Sequence, residues 1–98
     1  MKHRYLVAYD VSNPRRLRRV HRTMKGFGEG VQYSVFRCDL TDVQKMQLKE
    51  ALTREIHHGE DRVMMVDLGP AEGRAAWAFD YLGRQEPAAP VRSEAVIV

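Results

Sequence analysis

The sequence predicts an α+β fold, an antiparallel sheet carrying two helices on one face, and three observations predict it. The first is the stretch His3–Asp10, HRYLVAYD, a short run of β-branched and aromatic residues that stops on a carboxylate. The second is a pair of helical segments, one opening at Asn13-Pro14 and one at Thr41-Asp42-Val43-Gln44, each with its own start signal. The third is that further strand-like apolar stretches follow both helices, at 31–40 and 61–70. The order is strand, helix, strand (broken or doubled), helix, strand, which is the split βαβ, ferredoxin-like βαββαβ pattern. Residues 1–69 are expected to form this core. Residues 70–98 are expected to be a tail of the same domain, with a C-terminal strand used in a homodimer.

The first strand is nearly all apolar from Tyr5 to Tyr9, which suits a central strand covered on both faces. Asp10 then falls at its C-terminal edge, where ligands gather in many sheets, and is expected to face the helix behind it. That helix is specified locally. Asn13 is placed as N-cap, Pro14 as N1, and Gly26 or Gly28 as the stop. Leu17, Val20, Met24 and Phe27 form its core stripe. At ~100° per residue, Arg15, Arg19 and Arg22 point away from that stripe, with Arg18 and Lys25 on one flank.

The charge is local. The whole chain of 98 residues carries a formal +3, yet residues 11–28 hold six basic side chains (Arg15, Arg16, Arg18, Arg19, Arg22, Lys25) and no acid. Elsewhere ten basic residues face thirteen acidic ones. Several of the helix pairs are like-charge neighbours, and Arg15 and Arg16 oppose the helix dipole. A solvated face ordinarily mixes signs to avoid those costs, so a polyanion surface is the better reading.

After the glycine-rich turn, Val31, Tyr33 and Val35 share one strand face while Phe36, Cys38 and Leu40 share the other. A strict period of two fails at Val35-Phe36, so a β-bulge or two short strands meeting near Ser34 is expected. Tyr33 and Phe36 are read as packing aromatics first and base-stacking ones second. Cys38 reads as a small buried hydrophobe. The second helix opens with a capping box, carries the stripe Leu48, Ala51, Leu52 and Ile56, and mixes its surface charges. His57 and His58 splay apart on a helix and read as C-terminal cations, not ligands. Residues Asp61–Leu68 read as another buried strand, stopped by Gly69-Pro70. The tail holds Trp77, Phe79 and Tyr81, an extended linker over Gln85–Pro90, and a last strand at Ala95–Val98 that needs a sheet edge.

Composition excludes other classes. No apolar run is long enough for a membrane span or a signal peptide, and a lone cysteine fits a reducing compartment, so a cytoplasmic protein without membrane contact is expected.

Tyr5-Leu6-Val7-Ala8-Tyr9-Asp10-Val11-Ser12, the arginine helix, Val31-Gln32-Tyr33-Ser34-Val35-Phe36 and Asp61-Arg62-Val63 together resemble the second of the two core CRISPR adaptation proteins, the Cas-two family. The resemblance runs from about Tyr5 to Leu68. It implies a ferredoxin-like homodimer that bridges CRISPR integrase dimers and holds duplex DNA, and a metal-dependent endonuclease activity on RNA or DNA. The family's motif acid matches Asp10, and its basic first-helix residues match Arg16, Arg18 and Arg19. Tyr9, Ser34 and Phe36, inside the same strings, are accessory candidates.

One chain supplies no second acid near Asp10. Magnesium, or another divalent cation, is satisfied by one or two carboxylates plus water and phosphate oxygens, so a two-fold axis bringing two copies of Asp10 together would make a site. The plain alternative for Asp10 is an Asx-turn acceptor for Val11-Ser12-Asn13. The alternative function is a free-standing, toxin-like endoribonuclease on the same fold. A metabolic or regulatory ferredoxin-like module fits the unbalanced helix poorly.

Overall fold

A computed structural model describes residues 1–84. The linker and terminal strand expected within 85–98 lie outside the described residues. The chain runs β1 (His3–Asp10), α1 (Pro14–Lys25), β2 (Glu29–Gln32), β3 (Val35–Leu40), α2 (Asp42–Glu55) and β4 (Arg62–Pro70), then a 3-10 turn at Arg74–Trp77. The strands form one sheet in the order β2-β3-β1-β4, antiparallel throughout. This is the ferredoxin-like arrangement, with β1 at the centre.

The local signals act as their chemistry dictates. Asn13 Oδ1 accepts from the backbone N–H groups of Arg15 (2.9 Å) and Arg16 (3.1 Å), so two orphan donors of α1 are satisfied. At α2 the capping box closes both ways: Gln44 N donates to Thr41 Oγ1 at 3.1 Å, and Thr41 N donates to Gln44 Oε1 at 2.9 Å. Gly28, just past α1, cannot be larger. A Cβ there would run into the Arg37 carbonyl and the Cys38 sulfur, so the glycine lets the chain leave the helix flush against β3.

Strand parity sorts the sheet into two faces. Tyr5, Val7 and Tyr9 of β1 and Phe36, Cys38 and Leu40 of β3 point to the helices and are buried with Val20, Met24, Leu48 and Leu52. Burying side chains of this size stabilises by about 1.5–3 kcal/mol each as an upper estimate. The Cys38 thiol is pushed up to about 12, first by burial and then by the nearby Asp39 charge, so it stays protonated and packs as an apolar group.

The opposite face is half open, which corrects the expectation that β1 is covered on both sides. Register places Leu6 between Arg37 and Val66, Ala8 between Val35 and Met64, and Asp10 opposite Arg62 on this second face. β4 is likewise not a fully buried strand. It lies at the sheet edge, with Val63 and Met65 packed against the core and Met64 52% exposed. The irregularity expected near Ser34 is real and doubled. Tyr33 and Ser34 form the turn between β2 and β3, and the register also shifts between Gly30 and Gln32.

Candidate nucleic-acid interface

α1 packs by Val20 and Met24, which leaves its arginine-rich face to solvent. Its basic residues are not equivalent. Arg16 turns toward the start of β4, where Nε donates to Asp61 Oδ2 (2.7 Å) and Nη2 donates to Asp61 Oδ1 (3.1 Å) and Glu60 Oε1 (3.0 Å). The Asp61 carboxylate is fully covered and also accepts from the backbone N–H of Ser12 (3.2 Å) and His57 (2.8 Å). The Arg16 guanidinium, followed by those two amides, holds it well below the usual carboxylate range. Arg15, Arg18, Arg19, Arg22 and Lys25 are exposed and form no ion pair among the described residues. Five uncompensated cations on a helix of 12 residues, about 18 Å long, make a one-signed surface.

Asp10 ends β1 exposed, and its carboxylate makes no hydrogen bond or ion pair among the described residues. The Asx-turn alternative therefore loses its acceptor. The Ser12 amide goes to Asp61. The expectation that Asp10 faces the basic helix is also corrected. Tyr9 and Val11 on either side of it are buried, so strict alternation turns Asp10 to the half-open face, away from α1.

The accessory candidates separate in the same way. Tyr9 is 5% exposed, and its hydroxyl lies 2.9 Å from His21 Nδ1. Burial raises the phenol, which keeps it neutral. Phe36 is 1% exposed, stacked near Tyr9 with ring centres 6.2 Å apart and edge-on to His21 at 5.4 Å. It cannot stack on a base and acts only by positioning those two rings. Ser34 is half-buried in the β2–β3 turn, where its carbonyl accepts from Tyr9 N at 3.0 Å. Tyr33 beside it is 96% exposed.

Two features were not read from the sequence. The sequence marks Asp61 as a strand start and as part of the Asp61-Arg62-Val63 string, and does not show that its carboxylate accepts four hydrogen bonds. His21 was given no partner, although it sits on Tyr9. An Asp-Arg pair opening a strand is a weak signal for the first, and no signal existed for the second.

No group of three or more His, Cys, Asp or Glu side chains converges among the described residues. Among the described residues Asp10 is one of several carboxylates without a hydrogen-bond or ion-pair partner, and it is the one that stands at the end of a strand. A hard oxygen donor without a competing hydrogen bond fits half of a magnesium site.

Fold and surface together define the class: a ferredoxin-like α+β domain whose first helix carries a one-signed cationic face. The chain belongs to the family of CRISPR associated protein Cas2, whose sequence profile matches residues 2–74. It is 46% identical over 72 residues to the CRISPR-associated endoribonuclease Cas2 of Geobacter sulfurreducens, covering 74% of this chain and 76% of that protein. It is 46% identical over 90 residues to CRISPR-associated endoribonuclease Cas2 1 of Rhodospirillum rubrum, covering 86% and 88%. The crystal structure of Streptococcus pyogenes Cas2 at pH 6.5 superposes with a TM-score of 0.72 at 32% identity, over 82% of this chain and 99% of that one. No helix among the described residues is long and apolar enough to cross a membrane.

Proposed function

We propose that this chain is a CRISPR adaptation subunit that works as a cytoplasmic homodimer, holding duplex DNA on α1 and bridging integrase dimers, with metal-dependent phosphodiester hydrolysis as a secondary activity. The observation that carries the reading is the set of five cations on α1 that no carboxylate among the described residues neutralises. A duplex presents one negative charge per ~1.7 Å, and the counterions displaced by such a face drive binding.

The dimer is supported by the half-open sheet face. Leu6, Ala8, Val35, Met64 and Val66 share it with neither α1 nor α2 over them, and a second copy laid on it would exclude water from them. Asp10 lies on that same face, so the same association would bring two carboxylates toward one axis. The two copies of Asp10 would hold a magnesium ion, which when bound polarises a phosphodiester and activates water. The cations of α1 bind and orient the strand backbone.

The relatives' names add a second reading, in which RNA is the strand that is cut and no integrase is needed. Purified protein assayed with duplex DNA and with RNA, with and without an integrase, separates the two. Salt-sensitive duplex binding supports the first reading, and RNA cleavage by a protein that does not bind duplex supports the second.

A further inference from the structure

Between α1 and the β2–β3 turn lies a cleft of about 430 Å³, within the range of small-ligand sites. Its helix side carries Arg18, Arg22 and Lys25, one turn apart in succession, and no acid among the described residues lines it. Leu17 and the ring of Tyr9 contribute apolar surface. The turn side carries Tyr33, whose ring is 96% exposed although it is the largest side chain of that turn.

The polar groups of this cleft are only partly used. Among the described residues the Ser34 hydroxyl makes no hydrogen bond, and His21 engages only Nδ1, with Tyr9. The His21 ring is fixed by that bond and by its edge-on contact with Phe36, so its second nitrogen is a positioned donor or acceptor.

These parts match one nucleotide. Cations at one wall suit a phosphate, a free aromatic face suits a base, and a hydroxyl and an imidazole between them suit base-edge or sugar hydroxyls. A base inside a duplex has both faces stacked on its neighbours and cannot use Tyr33. We infer that the cleft between α1 and the β2–β3 turn binds a single unpaired nucleotide of a strand, its phosphate on Arg18, Arg22 and Lys25 and its base on Tyr33. This inference rests on the reading of α1 as a nucleic-acid surface and adds to it a preference for a single-stranded extension.

The test uses the full-length protein, fluorescence anisotropy, and three labelled DNAs: a blunt duplex, the same duplex extended by a few unpaired thymidines, and the thymidine strand alone. The extended duplex is expected to bind more tightly than the blunt one. Tyr33→Leu is expected to lower affinity for the extended duplex and the single strand by roughly tenfold and leave the blunt duplex unchanged. Tyr33→Phe, which keeps the π face, should restore wild-type behaviour. Equal binding of blunt and extended duplexes by the wild type, or equal loss of both in Tyr33→Leu, overturns the inference while leaving the duplex reading intact. Tyr33-dependent binding of the strand without any duplex binding keeps the cleft and removes the duplex reading. Thymidine 5′-monophosphate binding as tightly as the strand would overturn the strand as occupant.

Discussion

Arg16 Nε donates to Asp61 Oδ2 at 2.7 Å, tying the first turn of α1 to the residue before β4. The same carboxylate accepts from Ser12 N, so the loop that follows Asp10 is held from the start of β4, the strand beside β1. An arginine that looks from its position like part of a nucleic-acid face is engaged in joining two segments 45 residues apart.

That pair sets an acid sensitivity. Asp61 titrates well below its unfolded value of about 4, so the unfolded state binds the proton first. Its contribution is therefore complete above the ordinary carboxylate range and is lost as pH falls below it. Asp67, lowered first by the Gly69 amide and then by His3, adds in the same direction. Thermal melts from pH 7 down to pH 3 should show wild-type Tm falling. Asp61→Asn should start lower at pH 7 and fall less steeply. Parallel curves for the two proteins would count against the pair.

The exposed arginines should behave differently from Arg16. Arg19→Gln and Arg22→Gln are each expected to reduce the log–log salt slope of duplex binding by about 1 and to leave stability within about 0.5 kcal/mol of wild type. Arg16→Gln should instead lower stability, because it strands the covered Asp61 carboxylate, with a smaller change in slope. Titrations at several salt concentrations beside thermal melts decide this. An unchanged slope in an Arg19/Arg22 double variant with intact fold removes α1 from binding.

Asp10→Asn should abolish divalent-dependent cleavage. Its carboxylate holds no partner among the described residues, so stability should change by less than about 0.5 kcal/mol. Duplex binding should be equal or slightly tighter, since negative charge near phosphate is removed. Cleavage that persists in rigorously purified Asp10→Asn protein would place the chemistry elsewhere.

The open sheet face predicts the assembly. Leu6 lies on it, opposite Arg37 and Val66 and directed away from both helices. Leu6→Lys is expected to convert a dimer to monomer in sedimentation and to abolish any concentration dependence of Tm, while circular dichroism stays native. A Leu6→Lys protein that sediments as wild type would mean that copies associate through another surface.

The sequence by itself determined what depends on near neighbours. Asn13-Pro14 and Thr41-x-x-Gln44 specify their helix starts because a side chain reaches an amide two or three residues away. The clustering of positive charge on α1 is equally plain, because it is a property of one segment. The alternation in β1 and β3 marks which residues share a face. Tertiary structure alone decided which face is covered and which cation is engaged. Asp10 turns from α1 because both helices pack on the Tyr5, Val7 and Tyr9 side, and either side satisfies the alternation. Phe36 went inside and Tyr33 outside because the chain turns between them, a choice two aromatics three residues apart do not reveal. Arg16 differs from Arg15 and Arg19 only in meeting Asp61, and an ion pair needs two groups within about 4 Å, a distance set by packing and not by position along the chain.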